Sequence, residues 1–264
     1  MDYKFSIRTA FVIVFASILS AFLSGGLVLG LGLYFPETTQ KNLTFISFIV
    51  GQCFMLIPLV FFLILKKEPI YKRLRINLVS YNTLSQTIIF SIGLIILCDE
   101  FDRLIQVFVA TPEYIIDLNN ILQPESFFGY ILLFIAVSII APLGEELLFR
   151  GFLQQFLERY WKDITRAILM TTLLFAIIHM NPFWFIQIYI LGIMLGFLSW
   201  KTNSIFPPLI LHTINNATAL LFTFIDLGKS NLYLWNNHVS PWILFVAALF
   251  VYIGFTGLNK WKEA

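Results

Sequence analysis

Three short polar clusters interrupt otherwise apolar stretches of this chain: Glu145-Glu146-x-x-x-Arg150, Phe175-x-x-x-His179 and His212-x-x-x-Asn216. A charged side chain at hydrocarbon depth costs about 3 kcal/mol on insertion scales, so such groups mark functional sites. These residue types suit the activation of water. A carboxylate in low-dielectric surroundings can act as general base on water and then as acid on a leaving amine. A neighbouring imidazole can share that proton or orient the water, and His with Asn can donate hydrogen bonds to a tetrahedral oxyanion. A second route uses Glu145, His179 and His212 as three ligands of Zn²⁺ with one open position, which lowers the pKa of bound water. Residue types and spacing leave both routes open.

Helical offsets divide the roles. Glu146 and Arg150 stand at i, i+4, the spacing of an ion pair on one face. Glu145 is rotated by about 100° from Glu146, so Glu145 is expected to face a cavity while Arg150 holds Glu146. His212 and Asn216 share a face, and Phe175 is placed to pack on the His179 ring. Glu145 and His179 each lie 17 residues from Lys162. A helical hairpin turning there brings both to one height, so the two are expected to meet across antiparallel helices. Pro142 and Gly144 are expected to bend the helix ahead of the glutamates. Asn215 is a weaker candidate, and His238 reads as solvated and inert.

The elements that position these groups follow from composition. The chain is 59% hydrophobic and 12% charged, with mean hydropathy +0.85; soluble domains carry about 25% charged residues, so this chain belongs in a bilayer. Its apolar runs lack the alternation of barrel strands and have the length of membrane helices. The expectation is an all-α polytopic bundle of about eight transmembrane helices, near 9–34, 43–65, 83–98, 127–149, 165–180, 183–200, 204–225 and 241–258. One domain is expected over 1–264, with the motif-bearing core at 125–225. The first run is too long for a signal-peptide core and reads as a retained helix. Cys53 and Cys98 lack the spacing of a disulfide framework or a thiolate metal site.

Lys and Arg set the orientation. With both termini cytoplasmic, fourteen fall inside, among them Lys4, Lys66, Arg75, Lys162, Lys260 and Lys262, against Lys41, Arg103 and Lys229 outside. The loop 99–126 is acidic, through Asp99, Glu100, Asp102, Glu113, Asp117 and Glu125. The Lys66–Arg75 stretch reads either as an amphipathic segment on anionic lipid or as a solvated loop that sets topology. Gly192-x-x-x-Gly196 allows close helix packing, within the bundle or between protomers. The expected partners are the lipid bilayer and a peptide or membrane-protein substrate, with no nucleic acid.

In their order, the three motifs resemble those of the CPBP family, the CAAX-processing and bacteriocin-processing (Abi) intramembrane proteases related to the type II CAAX prenyl endopeptidase. Gly192-x-x-x-Gly196 and Lys201-Thr202-Asn203-Ser204-Ile205-x-x-Pro208 add to the likeness, which covers about residues 125–225. The resemblance implies an eight-helix bundle with a conical cavity opening to the cytosol and cleavage of peptide bonds near the membrane. Carried over by motif, Glu145 is the water-activating base, His179 its partner, and His212 with Asn216 the oxyanion site, while Glu146 and Arg150 support them. The glutamic-type route needs no metal and is favoured over the zinc-dependent one. The short chain and loops point to a prokaryotic plasma membrane, hence to a peptide precursor or membrane protein as substrate. The alternative is a non-catalytic protein of the same fold, acting as a bacteriocin-immunity factor or scaffold.

Overall fold

The computed structural model describes residues 5–115, 122–224 and 232–259. Lys4, Asp117, Lys229, Lys260 and Lys262 of the charge pattern lie outside them. Ser6 caps α1 (Ile7–Gly32) by accepting from the Thr9 N–H at 3.3 Å, and a short connection folds α2 (Glu37–Leu65) back along it. After the single turn α3 (Ile70–Arg73), Ser80 caps the long helix α4 (Tyr81–Phe108) in the same way. Next comes one continuous helix of 35 residues, α5 (Phe127–Trp161). Two stretches of α5 are π-helical, Ile135–Ile140 and Glu146–Gln154. Lys162 takes a left-handed conformation that ends α5, and Asp163 caps α6 (Ile164–Ile178). The hairpin turns where the Lys162 count placed it. Helices α7 (Phe185–Thr202) and α8 (Phe206–Phe224) follow. A two-stranded hairpin, β1 (Leu234–Trp235) and β2 (His238–Val239), leads into α9 (Pro241–Asn259), which packs along α4.

The fold is all-α apart from that hairpin, and its apolar helices make this an integral membrane protein. Helices stand at all eight expected positions, yet five among the described residues are long and apolar enough to cross a membrane: α1, Gln40–Leu65 of α2, α5, α7 and α9. Helix α6 has 15 residues, about 22 Å of rise, and is short for a span. Helix α4 carries Asp99, Glu100, Asp102 and Arg103 in its last turns, and α8 carries the polar His212–Asn216 stretch. Leu59 and Leu63 of α2 form the main core with Leu148, Phe149, Phe152 and Phe156 of α5, and Phe5 stacks on Phe152 and Phe156.

The two ends of the bundle are built differently. At the basic end, Arg73 and Glu68 pair at 2.7 Å, and Arg75 pairs with Glu158 of α5 and donates to Ser199 Oγ at 3.3 Å. Asn77 donates to the Asn203 carbonyl and Ser204 donates to the Asn77 carbonyl, each at 2.6 Å. Arg73 and Arg75 are buried. Lys66, Lys67, Tyr71 and Lys72 stay exposed, so within 66–75 the two arginines turn inward while the lysines keep an outer surface. The guanidiniums find carboxylates inside the protein, which removes their reason to seek lipid phosphate or water.

At the acidic end, Glu100 accepts from His238 Nδ1 at 2.8 Å and from the Val239 N–H at 2.7 Å. Asp99 accepts from Arg103 Nε at 2.9 Å and from the Tyr233 hydroxyl at 2.8 Å. His238 keeps part of its ring in solvent, yet it stands in β2 and is one arm of a clasp that fixes the β-hairpin to α4. Burial, with the neighbouring Asp99 carboxylate adding to it, holds the Tyr233 hydroxyl protonated well above the ordinary tyrosine range.

Candidate functional site

The site forms halfway along α5, where a five-residue α-helical step (Ala141–Glu145) separates the two π stretches. A π turn inserts one residue and turns everything after it by about 100° relative to a regular helix. It also exposes backbone groups. The Val137 carbonyl, within the first π stretch, accepts from Asn216 Nδ2 at 2.9 Å. Asn216 thereby ties α8 to α5, and its Oδ1 accepts from Asn215 Nδ2 at 3.1 Å. One N–H of the Asn216 amide is left for another acceptor.

Glu145 ends the α-helical step and Glu146 begins the second π stretch, whose residues are all buried. Glu146 is 0% exposed, and its Oε1 accepts from Arg150 Nη1 at 3.1 Å and from His212 Nδ1 at 2.9 Å. The pairing of Glu146 with Arg150 follows the i, i+4 expectation. The Arg150 guanidinium also donates to the Gly192 carbonyl at 3.3 Å and lies 4.1 Å from the centre of the Phe175 ring. One helical turn on, Gln154 donates to the Gly196 carbonyl at 2.9 Å. A Cβ at position 192 would stand 2.6 Å from Thr172 Cγ2, and one at 196 would stand 3.0 Å from Gln154 Oε1. The Gly192-x-x-x-Gly196 pair therefore serves packing within the bundle: it opens two carbonyls of α7 to the polar ladder of α5.

Glu145 is nearly buried and faces a different neighbour. Its Oε1 accepts from Gln52 Nε2 of α2 at 3.2 Å, and its Oε2 stands 3.8 Å from His212 Nε2. His212 thus lies between both carboxylates, Nδ1 on Glu146 and Nε2 toward Glu145. No hydrogen bond or ion pair joins His179 to Glu145 among the described residues, so the imidazole that Glu145 meets is His212. Equal height on a hairpin sets rise but not azimuth, and the π stretches of α5 reset the azimuth.

His179 caps the C-terminus of α6, where its Nδ1 lies 2.7 Å from the Phe175 carbonyl. The Phe175 ring packs edge-on against His179 at 4.6 Å, as expected, and against His212 at 5.8 Å. One aromatic ring therefore packs against both imidazoles and also carries the Arg150 cation. The structure gathers Glu145, Glu146, Arg150 and His212 into one cluster, places His179 against the same Phe175 ring that His212 touches, and holds Asn216 one turn beyond His212.

No group of three or more His, Cys, Asp or Glu side chains is gathered to hold a metal ion among the described residues. Glu145, His179 and His212 are not gathered into such a group, and Gln52 donates to one oxygen of Glu145. An apolar groove of about 510 Å³ lies between α5 and α8, lined by Tyr130, Phe134, Leu220 and Phe224 among others, and contains none of these polar groups. Sequence reasoning missed Gln52 and Gln154. The available signal was an uncharged amide within an apolar run, which carries little weight without a spacing rule.

No solved structure matches the chain significantly. An uncharacterized 24.3 kDa protein of Escherichia coli is 28% identical over 109 residues, 40% of this chain, and the match spans half the length of that relative. All three polar clusters fall within residues 127–218, the stretch that matches the family model described as Type II CAAX prenyl endopeptidase Rce1-like.

Proposed function

We propose that this protein is an intramembrane endopeptidase of the glutamic type, with Glu145 as the base. The observation that carries the reading is the buried Glu145–His212–Glu146 arrangement, in which a carboxylate and an imidazole converge while a second carboxylate, itself held by a cation, orients the imidazole. Glu145 takes a proton from water as the water oxygen bonds to the peptide carbonyl carbon. The free N–H of Asn216 and the Nε2 of His212 donate to the resulting oxyanion. Glu145 then passes its proton to the amide nitrogen as the C–N bond breaks. Glu146 accepts from His212 Nδ1 and steadies the ring as an imidazolium, the form in which Nε2 also carries a proton to donate; a carboxylate plays the same part behind a catalytic imidazole. His179, with Nδ1 turned to the Phe175 carbonyl, presents Nε2 to orient water or substrate. The family match and the membrane helices support peptide hydrolysis within the bilayer.

The basic end is taken as cytoplasmic by the positive-inside rule, in a bacterial plasma membrane. The substrate is a membrane protein or a peptide precursor. Peptides in membranes and medium are compared between cells carrying the wild type and Glu145→Gln at matched expression. New termini found only with the wild type are the expected result. If no termini differ and the mutant keeps the cellular phenotype, the scaffold or immunity reading takes over. A strong chelator is expected to leave cleavage by purified protein intact. Loss on chelation with recovery on Zn²⁺ addition would move the mechanism to the metal route.

A further inference from the structure

The family match begins at residue 127, yet one group that touches the candidate base comes from α2. Gln52 reaches across 93 residues of sequence to donate its Nε2–H to Glu145 Oε1 at 3.2 Å. A glutamine in an apolar run invites explanation, because its amide must find partners or lose hydration. Its helix neighbour Cys53 is exposed, so a turn of about 100° separates a lipid-facing side from the side that carries the amide. The approach is close: a Cβ at Gly144 would stand 3.1 Å from Gln52 Oε1 and 2.9 Å from Met55 Cε, so the glycine before Glu145 makes room for α2. Gln52 Oε1 is itself buried and has no donor among the described residues. An amide placed only for packing would be better replaced by Leu or Met. Among the described residues its bonded partner is Glu145.

We propose that Gln52 is a positioning residue for Glu145: its N–H occupies Oε1 and so turns Oε2 toward His212 and the attacking water. This deepens the peptidase reading and rests on it. With Oε1 committed, the carboxylate has a single free oxygen for the proton, and that oxygen faces the imidazole at 3.8 Å. Without Gln52 the carboxylate is free to rotate about its last torsion, and the reacting oxygen is no longer defined.

The test uses the full chain in detergent or nanodiscs with Gln52→Met, which keeps side-chain length and removes the donor. The substrate probe is a synthetic peptide spanning the strongest terminus that depends on Glu145. A hydrogen bond to a charged group implies a fall in kcat of about tenfold to a hundredfold, with KM within about twofold. Infrared difference spectra supply a readout that needs no activity. The carboxylate stretch that disappears in Glu145→Gln is expected to shift in Gln52→Met. Unchanged kcat, or a rise in KM alone, overturns the proposal. So does an unshifted carboxylate band. Should no Glu145-dependent terminus be found, the peptidase reading fails, and the band alone still decides whether Gln52 holds Glu145.

Discussion

Helices α1 and α5 are both apolar enough to cross a bilayer, yet α1 and the second π stretch of α5 live in opposite environments. In α1 the buried residues are Ala10, Val14, Ser17 and Gly32, mostly small, while Phe15, Leu23 and Leu27 are exposed. In Glu146–Gln154 every residue is buried, and the polar ones are bonded to other helices. Hydropathy averages over a span and cannot separate the two cases. The placement of polar groups can, because the bilayer offers no partner and the protein must supply one. A lipid-facing helix can afford large apolar side chains outward, whereas a protein-facing one must match each donor with an acceptor.

The largest expected difference between these regions is chemical. Glu145→Gln should lower cleavage by about 10²- to 10⁴-fold, the range for loss of a general base, measured on a peptide that spans a wild-type terminus. His179→Ala and His212→Ala are expected to abolish cleavage too, whereas His238→Ala, at the acidic end, should leave it intact; equal loss in all three would break the site assignment. Next comes stability. Arg150→Met strands Glu146 in a fully buried position and should destabilise by about 3–5 kcal/mol, read by denaturant titration in micelles. Smaller is the clasp on α4: Tyr233→Phe removes one hydrogen bond to Asp99 and should cost about 1 kcal/mol. Tyr233 titrates higher in the folded protein than when unfolded, so that contribution is present below the ordinary tyrosine pKa, near 10, and fades as pH rises above it. Smallest is Leu23→Ala on the outer face of α1, where Leu23 is 65% exposed, with an expected change of about 0.5 kcal/mol or less. A loss there as large as at Arg150 would show that α1 faces protein after all.

Several relations were legible because they are local. The i, i+4 pairing of Glu146 with Arg150, the packing of Phe175 on His179 and the turn at Lys162 each depend on a few residues of one or two neighbouring helices. No direct bond joins Glu145 to His179 among the described residues. Counting residues from the turn gives height along the hairpin, but the π stretches rotate the glutamates, and His212 arrives from a third helix. The inward turn of two arginines within 66–75 was hidden for a related reason. Arg73 and Arg75 look like free charges until Glu68 and Glu158 are seen beside them. The bond of His238 to Glu100 likewise came into view only once α4 stood opposite.

By itself the sequence determined that this chain lives in a membrane as helices, which residues are too polar to be there without a use, and which of them pair within one helix. These follow from transfer free energies and from the 3.6-residue turn, both properties of a segment alone. Only the tertiary structure decided which imidazole meets Glu145, that Gly192 and Gly196 serve Arg150 and Gln154, and that α2 lends Gln52 to the site. Those contacts depend on the azimuth of each helix about its axis, which is set by how side chains from distant segments fill one interior together.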